Sequence, residues 1–329
     1  MRALVTGGAG YIGSHTVKHL LEHGHDVLVL DNLAVGHREA VPAGRLVVAD
    51  LKDVDRVDQL MIEQRTEAVI HFAADAAVGE SVVDPAKYYR NNLINAANLL
   101  ECVRRHGVQR FVFSSTCATY GTPETVPITE ETPQRPINPY GQTKLAFEKM
   151  LADYAAAYPI GFAALRYFNA SGATPDGTLG EDHTPETHLI PLVLQVALGQ
   201  RSHVSVFGTD YPTPDGTCIR DYVHVDDLAS AHRLAIERVE PGKGMHFNVG
   251  MGRGYSVREV IRTCEEVSGK TIPVVEAARR PGDPPALVAS ADKIRAALGW
   301  TPKYTDLATV VRTAWDWHRA HPKGYATGK

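Results

Sequence analysis

Tyr140 and Lys144 stand four residues apart in the segment Y-G-Q-T-K. On a helix that spacing puts both side chains on one face, so a lysine cation can stand beside a phenol. A free tyrosine has a pKa of about 10 and is a poor base near neutrality. A neighbouring cation favours its phenolate and makes it a candidate for proton transfer. The spacing alone proves little, since Tyr325 and Lys329 repeat it by chance in the tail. Context sets the first pair apart. Pro139 precedes it, where a helix would start, and the upstream run RFVFSST closes in the hydroxyls Ser114, Ser115 and Thr116. Side chains at the carboxyl end of a strand line the ligand crevice of a doubly wound sheet. Taken alone, Thr116 is more simply a strand-end hydroxyl bonded to nearby backbone.

A second constellation opens the chain. Residues 2–13 read RALVTGGAGYIG, an apolar run broken by Gly7, Gly10 and Gly13. A strand that turns through glycines into a helix grips a diphosphate, because bare backbone approaches closely and the helix N-terminus offers unpaired N–H groups. The spacing is G-x-x-G-x-x-G, weak by itself. A following strand, DVLVLD, ends at Asp31. A carboxylate there can accept hydrogen bonds from the adenosine ribose and repels a 2′-phosphate, which favours NAD over NADP. The plainer alternative is a turn-forming Asp before Asn32. Asp50 ends the next strand and either meets the adenine edge or caps the helix opened by Lys52 and Asp53. With NAD present, Lys144 and the positive nicotinamide ring together would lower the Tyr140 pKa by about two to three units, at about 1.4 kcal/mol each.

These residues need a scaffold that holds strand ends together. The apolar runs ALVT, DVLVLD, RLVVAD, AVIHFA, RFVFSS and FAALRY alternate with helical spacing around 12–23, 54–65, 87–106 and 141–157. Runs apolar on both faces between helices predict a parallel sheet covered on both sides, wound right-handed into an α/β doubly wound (Rossmann) fold. After residue 170 the pattern changes. SGATPDGTLGEDHTPETH reads as a long functional loop, and beyond it strands are shorter and prolines more frequent. We expect an NAD-binding domain over 1–170 and a smaller mixed α/β substrate domain over 171–329, with some segments returning to the first.

The 329 residues, 44% hydrophobic and 22% charged, describe an ordinary globular chain, and a net charge of −4 gives no reason to expect nucleic acid. No apolar run approaches the roughly 20 residues of a membrane span. A nucleotide loop beginning at Gly7 is expected to leave no room for a leader. Cys102, Cys117, Cys218 and Cys264 are scattered, with no C-x-x-C pair, and read as reduced packing residues of a cytoplasmic protein. His19 and His23, and His183 near His188, invite a metal. No third ligand stands out, so a solvated helix face and a polar loop are expected instead and no metal site.

The segments TGGAGYIGSH, LDNL, HFAA, AVGESV, YYRNN, FSSTCATYG, PYGQTK, LRYFNASGA, GTDYPTPDGTCIRDYVHVDDLA and RRPGDPPA follow one another along nearly the whole chain. In kind and order they resemble the extended short-chain dehydrogenase/reductase family and, within it, the UDP-sugar 4-epimerases. The resemblance implies interconversion of UDP-glucose and UDP-galactose by transient oxidation at C4 with tightly bound NAD, rotation of the 4-keto sugar and hydride return. Tyr140 would take the proton of the 4-hydroxyl, Lys144 would hold the nicotinamide ribose, and Thr116 would bond the 4-oxygen. It further implies cofactor contacts from Gly7, Gly10, Tyr11, Ile12, Gly13, Asp31, Asn32, Asp50, Leu51, Phe72, Ala73, Ala74, Asn91, Asn92, Ser114, Tyr167 and Phe168. Asn169, Arg220 and Arg280 would meet the diphosphate, Tyr222 and Asp283 the uridine end, and Val204, Ser205, Val206 and Phe207 the uracil, with His188 and Leu189 nearby. A homodimer is implied as well.

Some positions depart from the family pattern. Asp75 and Ala76 stand where a lysine often follows HFA. His188 replaces an Asn but can still donate to phosphate. Ala118 replaces a hydroxyl, and Leu287 favours UDP-glucose and UDP-galactose over N-acetylated sugars. Epimerisation of UDP-glucuronate or a UDP-pentose, a net dehydrogenase, and a non-catalytic NAD-dependent sensor remain as alternatives. The sensor would not need Tyr140, Lys144 and Thr116 together.

Overall fold

Each of the six apolar runs is a strand in the computed structural model, which describes residues 1–280 and 283–325. They are β1 (Arg2–Thr6), β2 (Asp26–Asp31), β3 (Leu46–Val48), β4 (Ala68–His71), β5 (Arg110–Thr116) and β6 (Gly161–Tyr167). A later strand, Gly244–Val249, joins them in one seven-stranded sheet, ordered Gly244–Val249, β6, β5, β4, β1, β2, β3, with every pairing parallel. The apolar runs are continuous because both faces are covered. On one face, Ala3, Val5, Val29 and Ile70 pack with Val17 and Leu20 of the helix Tyr11–Glu22 and with Leu228, Ala231 and Ala235 of the helix Val225–Arg238. On the other, Leu4, Val69, Phe111 and Phe113 pack with Leu60, Leu99, Phe147 and Leu151. The predicted doubly wound α/β class is what the chain adopts.

The periodicity over 87–106 predicted one helix. The chain instead forms a turn of helix at Pro85–Tyr88, a wide π-helical stretch at Tyr89–Asn95 and a helix at Ala96–Arg105. Within the wide stretch Asn92 is buried, its Oδ1 accepting from the Asp75 N–H at 2.8 Å and its Nδ2 donating to the Asp75 carbonyl at 2.9 Å. Hydrophobic spacing does not register this, because an asparagine that completes a loop's backbone bonds has no apolar signature.

Beyond β6 the chain forms β7 (Asn169–Ser171), β8 (Val204–Phe207), β9 (Ile219–His224), β10 (the sheet strand Gly244–Val249), β11 (Gly254–Ser256), β12 (Val274–Ala277) and β13 (Ala286–Leu287). β9 pairs with β7 and β13 in parallel and with β11 antiparallel, and β8 pairs with β12. Two buried aspartates of the D-Y-V-H-V-D-D segment tie this region down. Asp221 accepts from the backbone N–H groups of Met251, Gly252 and Ala289, and Asp227 from those of Lys303 and Tyr304. Burial raises the Asp221 carboxyl to about 6 despite those donors.

Candidate active site

β1 lies between β2 and β4, where the strand order reverses, so a crevice opens beyond the carboxyl ends of β1 and β4. The glycine loop fills its floor. Gly7 has φ +73°, and a Cβ there would lie 2.4 Å from the Ala73 nitrogen; a Cβ on Gly13 would lie 2.2 Å from the Gly7 carbonyl oxygen. Only bare backbone fits. The helix Tyr11–Glu22 starts at Gly10 without a side-chain cap, and its first N–H groups have no intrahelical acceptor. A diphosphate therefore fits this cradle on steric and electrostatic grounds.

Asp31 is buried beside the loop. Its Oδ2 accepts from the Ala9 N–H at 2.9 Å and its Oδ1 from the Leu33 N–H at 2.8 Å, and burial raises its pKa. It thus forms the turn that its plainer reading foresaw, and also ties that turn to the glycine loop. Each oxygen keeps a lone pair for a ribose hydroxyl. Asn32 donates to Asp50 at 3.1 Å, and Asp50 also accepts from the Lys52 N–H. The helix Val54–Gln64 is capped by Asp53, so the capping role weighed for Asp50 does not hold. Phe72 and Ala73 donate backbone N–H bonds to the Thr6 carbonyl, Leu51 is a core residue, and Tyr11 donates to the Gly172 carbonyl at 2.6 Å. Asn91 donates to Asp75 at 3.0 Å, and Lys87 pairs with the same carboxylate at 3.4 Å.

Pro139 opens the helix Pro139–Ala157, capped by the Asn138 side chain, which accepts from the Gly141 N–H at 2.9 Å. A Cβ on Gly141 would lie 2.5 Å from the Ala118 carbonyl; its absence seats the first turn of that helix on the turn after β5. This brings Tyr140 to Thr116, whose hydroxyl interacts with the phenol while accepting from the Ala118 N–H at 3.1 Å. Lys144 donates to the Ser114 carbonyl at 2.8 Å and lies over the Tyr140 ring at 5.9 Å. The Ser114 hydroxyl and the Tyr167 phenol share a hydrogen bond of 2.7 Å.

The lowered Tyr140 pKa expected from Lys144 is not what this pocket alone produces. Burial raises the phenol well above its usual value, with Tyr167 adding to the rise and Thr116 opposing it. Burial also lowers Lys144 to about 7. The lysine cation faces the ring and a backbone carbonyl rather than the phenol oxygen, and desolvation disfavours both charged forms.

In the second half, Asn169 donates to the Asp221 carbonyl at 3.0 Å, and Arg220 forms an ion pair with Asp283. Tyr222 is buried, and the Arg280 guanidinium lies 4.0 Å from the centre of the Phe207 ring. Val204 and Val206 point into the core while Ser205 and Phe207 are half-buried. Phe168 packs with Tyr120 and Ile128. His188 precedes the helix that begins at Leu189, and its Nδ1 faces Glu181 and Glu186. The sequence sets His183 and His188 among acids, and the fold turns two of these, Glu181 and Glu186, toward both rings.

Cys117, read as a packing residue, follows Thr116, and its thiol, pushed up to about 12 by burial, lies within electrostatic reach of Arg220. One residue escaped sequence reasoning. Glu148 sits one helical turn beyond Lys144 and forms a buried bidentate pair with Arg166 at 2.6 and 3.1 Å. The i, i+4 spacing from Lys144 was a usable signal. Lys329 lies outside the described residues, and Tyr325 contacts Gly180 and stacks on His37.

The model of the NAD dependent epimerase/dehydratase family matches residues 3–250. The chain is 54% identical to a UDP-glucose 4-epimerase of Halalkalibacterium halodurans over 99% of its own length and 98% of that protein's. Among solved structures it resembles UDP-glucose 4-epimerase from Brucella ovis in complex with NAD (TM-score 0.92, 52% identity, 95% of this chain and 97% of that one). It also resembles the Bifidobacterium longum enzyme in complex with NAD+ and UDP (TM-score 0.94, 40% identity, 98% and 99%). With its glycine cradle at the switch point and these matches over nearly its full length, the chain belongs to the NAD dependent epimerase/dehydratase family.

Proposed function

We propose that this protein interconverts UDP-glucose and UDP-galactose, using tightly bound NAD. The observation that carries this reading is the convergence of Tyr140, Lys144 and Thr116 at the carboxyl end of β5, beside a glycine loop and an uncapped helix N-terminus suited to a diphosphate. The high identity to UDP-glucose 4-epimerases supports the substrate. When bound, NAD supplies a reversible hydride acceptor for the sugar C4. Gly7, Gly10 and Gly13 would hold its diphosphate and Asp31 its adenosine ribose, with Asn32, Asp50 and Asn92 nearby.

In this reading Tyr140 takes the proton of the sugar 4-hydroxyl and returns it after the 4-keto sugar has turned. Thr116 hydrogen-bonds the 4-oxygen and keeps it within reach of the phenol. Lys144 holds the nicotinamide ribose hydroxyls. The buried pocket keeps Tyr140 neutral by itself, so a cation in the crevice is needed to bring its phenolate into range. Arg220, Asn169 and Arg280 would hold the UDP, suited by the fixed fork of guanidinium donors. Residues 1–170 would bind the cofactor and 171–329 the UDP-sugar, with β10 and the helix Val225–Arg238 completing the first layer. Exposed Val78, Val82, Val83, Tyr89 and Ile94 support a homodimer formed by that edge of the cofactor half. Four free cysteines support a cytoplasmic location; no helix among the described residues is long and apolar enough to cross a membrane.

The test is conversion of UDP-galactose by the purified protein without added NAD, together with NAD release on denaturation. Tyr140→Phe is expected to lower kcat by about 10²–10⁴-fold with UDP binding retained. Full interconversion by that variant refutes the assignment. Bound NAD with no turnover of any UDP-sugar identifies a sensor, and stoichiometric NADH release identifies a dehydrogenase.

A further inference from the structure

The loop Gly172–His188 gathers four potential metal ligands at its end. Glu181, His183, Glu186 and His188 each offer one atom, and these four atoms lie within 4.8 Å of one another. His183 Nδ1 is 3.3 Å from Glu181 Oε1 and 3.4 Å from Glu186 Oε2; His188 Nδ1 is 2.8 Å from Glu181 Oε1 and 3.0 Å from Glu186 Oε1. Two of the atoms are buried without a hydrogen-bond partner, Glu181 Oε1 and His183 Nδ1, and Glu181 is 4% exposed. His188 Nδ1 is hydrogen-bonded to Glu186 Oε1, but the buried Glu181 Oε1 and His183 Nδ1 have no such partner and stand among the other two ligand atoms.

We infer that Glu181, His183, Glu186 and His188 form a binding site for a divalent metal ion of the zinc class. The ligand set decides the class. Two imidazole nitrogens and two carboxylate oxygens suit zinc, whereas calcium and magnesium take oxygen alone. The spacing agrees. Zinc–nitrogen and zinc–oxygen bonds of about 2.0–2.2 Å at tetrahedral angles place neighbouring ligand atoms about 3.3–3.5 Å apart, close to the 3.3 and 3.4 Å around His183, while the 2.8 and 3.0 Å around the exposed His188 require its ring to move back by about 0.5 Å. Four protein ligands make a closed, structural site with no open position for chemistry. The charge balances too, since a dication is neutralised by two carboxylates.

The surroundings tell what the ion would do. The Tyr11 ring, at the mouth of the glycine cradle, meets the His183 ring edge-on at 6.2 Å. The Thr187 and His188 N–H groups donate to Glu186 Oε1 at 2.6 and 2.8 Å and hold that carboxylate in place. Asp182, inside the ligand run, bonds the Tyr325 N–H at 3.0 Å and faces His37 at 3.4 Å. A metal here clamps the loop between the start of the helix Tyr11–Glu22 and the helix Leu189–Ala197. The site takes no part in the chemistry of Tyr140 and stands or falls independently of it.

The full-length protein, stripped by a chelator and desalted, is titrated with Co²⁺ and, separately, with Zn²⁺ against a chromophoric chelator. One equivalent per chain is expected, with the visible d–d absorption of tetrahedral Co²⁺, displaced by Zn²⁺. The exposed His188→Ala change and His183→Gln should each weaken Zn²⁺ binding by more than about 100-fold, beyond the 10–100-fold effect of an outer-shell partner. Zn²⁺ should raise the Tm of the wild-type protein and leave that of His188→Ala unchanged. The inference is overturned if the wild-type chain binds no equivalent, if cobalt gives an octahedral spectrum, or if both variants bind zinc as the wild type does.

Discussion

Glu148→Gln tests how the buried charges behind Tyr140 work. The side chains of Glu148 and Arg166 are 3% and 5% exposed. Arg166 donates to both carboxylate oxygens and to the Tyr120 hydroxyl at 2.9 Å; Ser115 donates to Glu148 at 2.5 Å. Burial alone would raise the Glu148 carboxyl, but the guanidinium and the serine hydroxyl hold it below its usual range. Glutamine keeps the shape and one acceptor oxygen yet leaves Arg166 charged and uncompensated. Removing one partner of such a pair costs about 3–5 kcal/mol. At about 2.1 cal/mol/K per residue, the 329-residue chain loses about 4–7 °C of Tm for that amount. The double variant Glu148→Leu/Arg166→Met, which removes both charges, should recover most of the loss.

A kinetic consequence accompanies this. Burial lowers Lys144 to about 7, and the Glu148 carboxylate opposes that fall. Without it the lysine pKa falls further, and less of the lysine is charged at pH 7. Activity at pH 7 should fall, and the decline of kcat with rising pH should move to lower pH. Thermal unfolding of the holoenzyme and a kcat profile across pH 5.5–8.5 read both effects. A loss of under about 1 kcal/mol, or a double variant no more stable than the single, refutes the ion-pair argument. An unmoved pH profile refutes the coupling to Lys144.

Gly13→Ala sets two effects against each other. Alanine gains about 1 kcal/mol in helix propensity, but its Cβ would lie 2.2 Å from the Gly7 carbonyl, and such overpacking costs about 1–3 kcal/mol. The loop must open by about 1 Å, so we expect NAD to be lost on gel filtration with little change in Tm; stoichiometric retention would contradict the cradle. Stability should also fall between pH 6.5 and 4.5. His15 and His232 are lowered to about 4 and His71 and His224 to about 3, chiefly by burial. Their folded pKa values lie below the unfolded one, so protons favour the unfolded chain as pH drops through this window, each site losing about 2–3 kcal/mol. Asp226 and Asp221, raised to about 7 and about 6 by burial, act in the opposite sense and offset about half. A Tm at pH 4.5 within a few degrees of that at pH 7 would contradict the balance.

Six of the seven strands of the large sheet were legible from apolar runs, five of them largely buried; edge strand β3 is only half-buried, and β10, whose first half is more exposed, gave no such run. The glycine cradle was legible for a related reason: close backbone approach leaves glycine as the only residue that fits. Tyr140 and Lys144 could be read from helical spacing, and Pro139 from its missing N–H. The break at Tyr89–Asn95 could not, because the force behind it is a pair of hydrogen bonds between Asn92 and a loop distant in sequence.

The sequence by itself determined which residues can do chemistry and which elements carry them, since those follow from side-chain type and local periodicity. It did not determine the charge state of the pocket. Lys144 and Tyr140 are neighbours on one helix face, but whether either is ionised depends on how deeply the surrounding elements bury them, and burial is a sum over residues scattered along the chain. The same holds for Glu148, whose partner Arg166 comes from β6, and for the Glu181–His188 cluster. There the two carboxylates stand within seven residues of both histidines in the sequence, and the fold decides only which of their atoms face one another. Periodicity is a local quantity; desolvation and charge pairing are set by what the tertiary fold brings together.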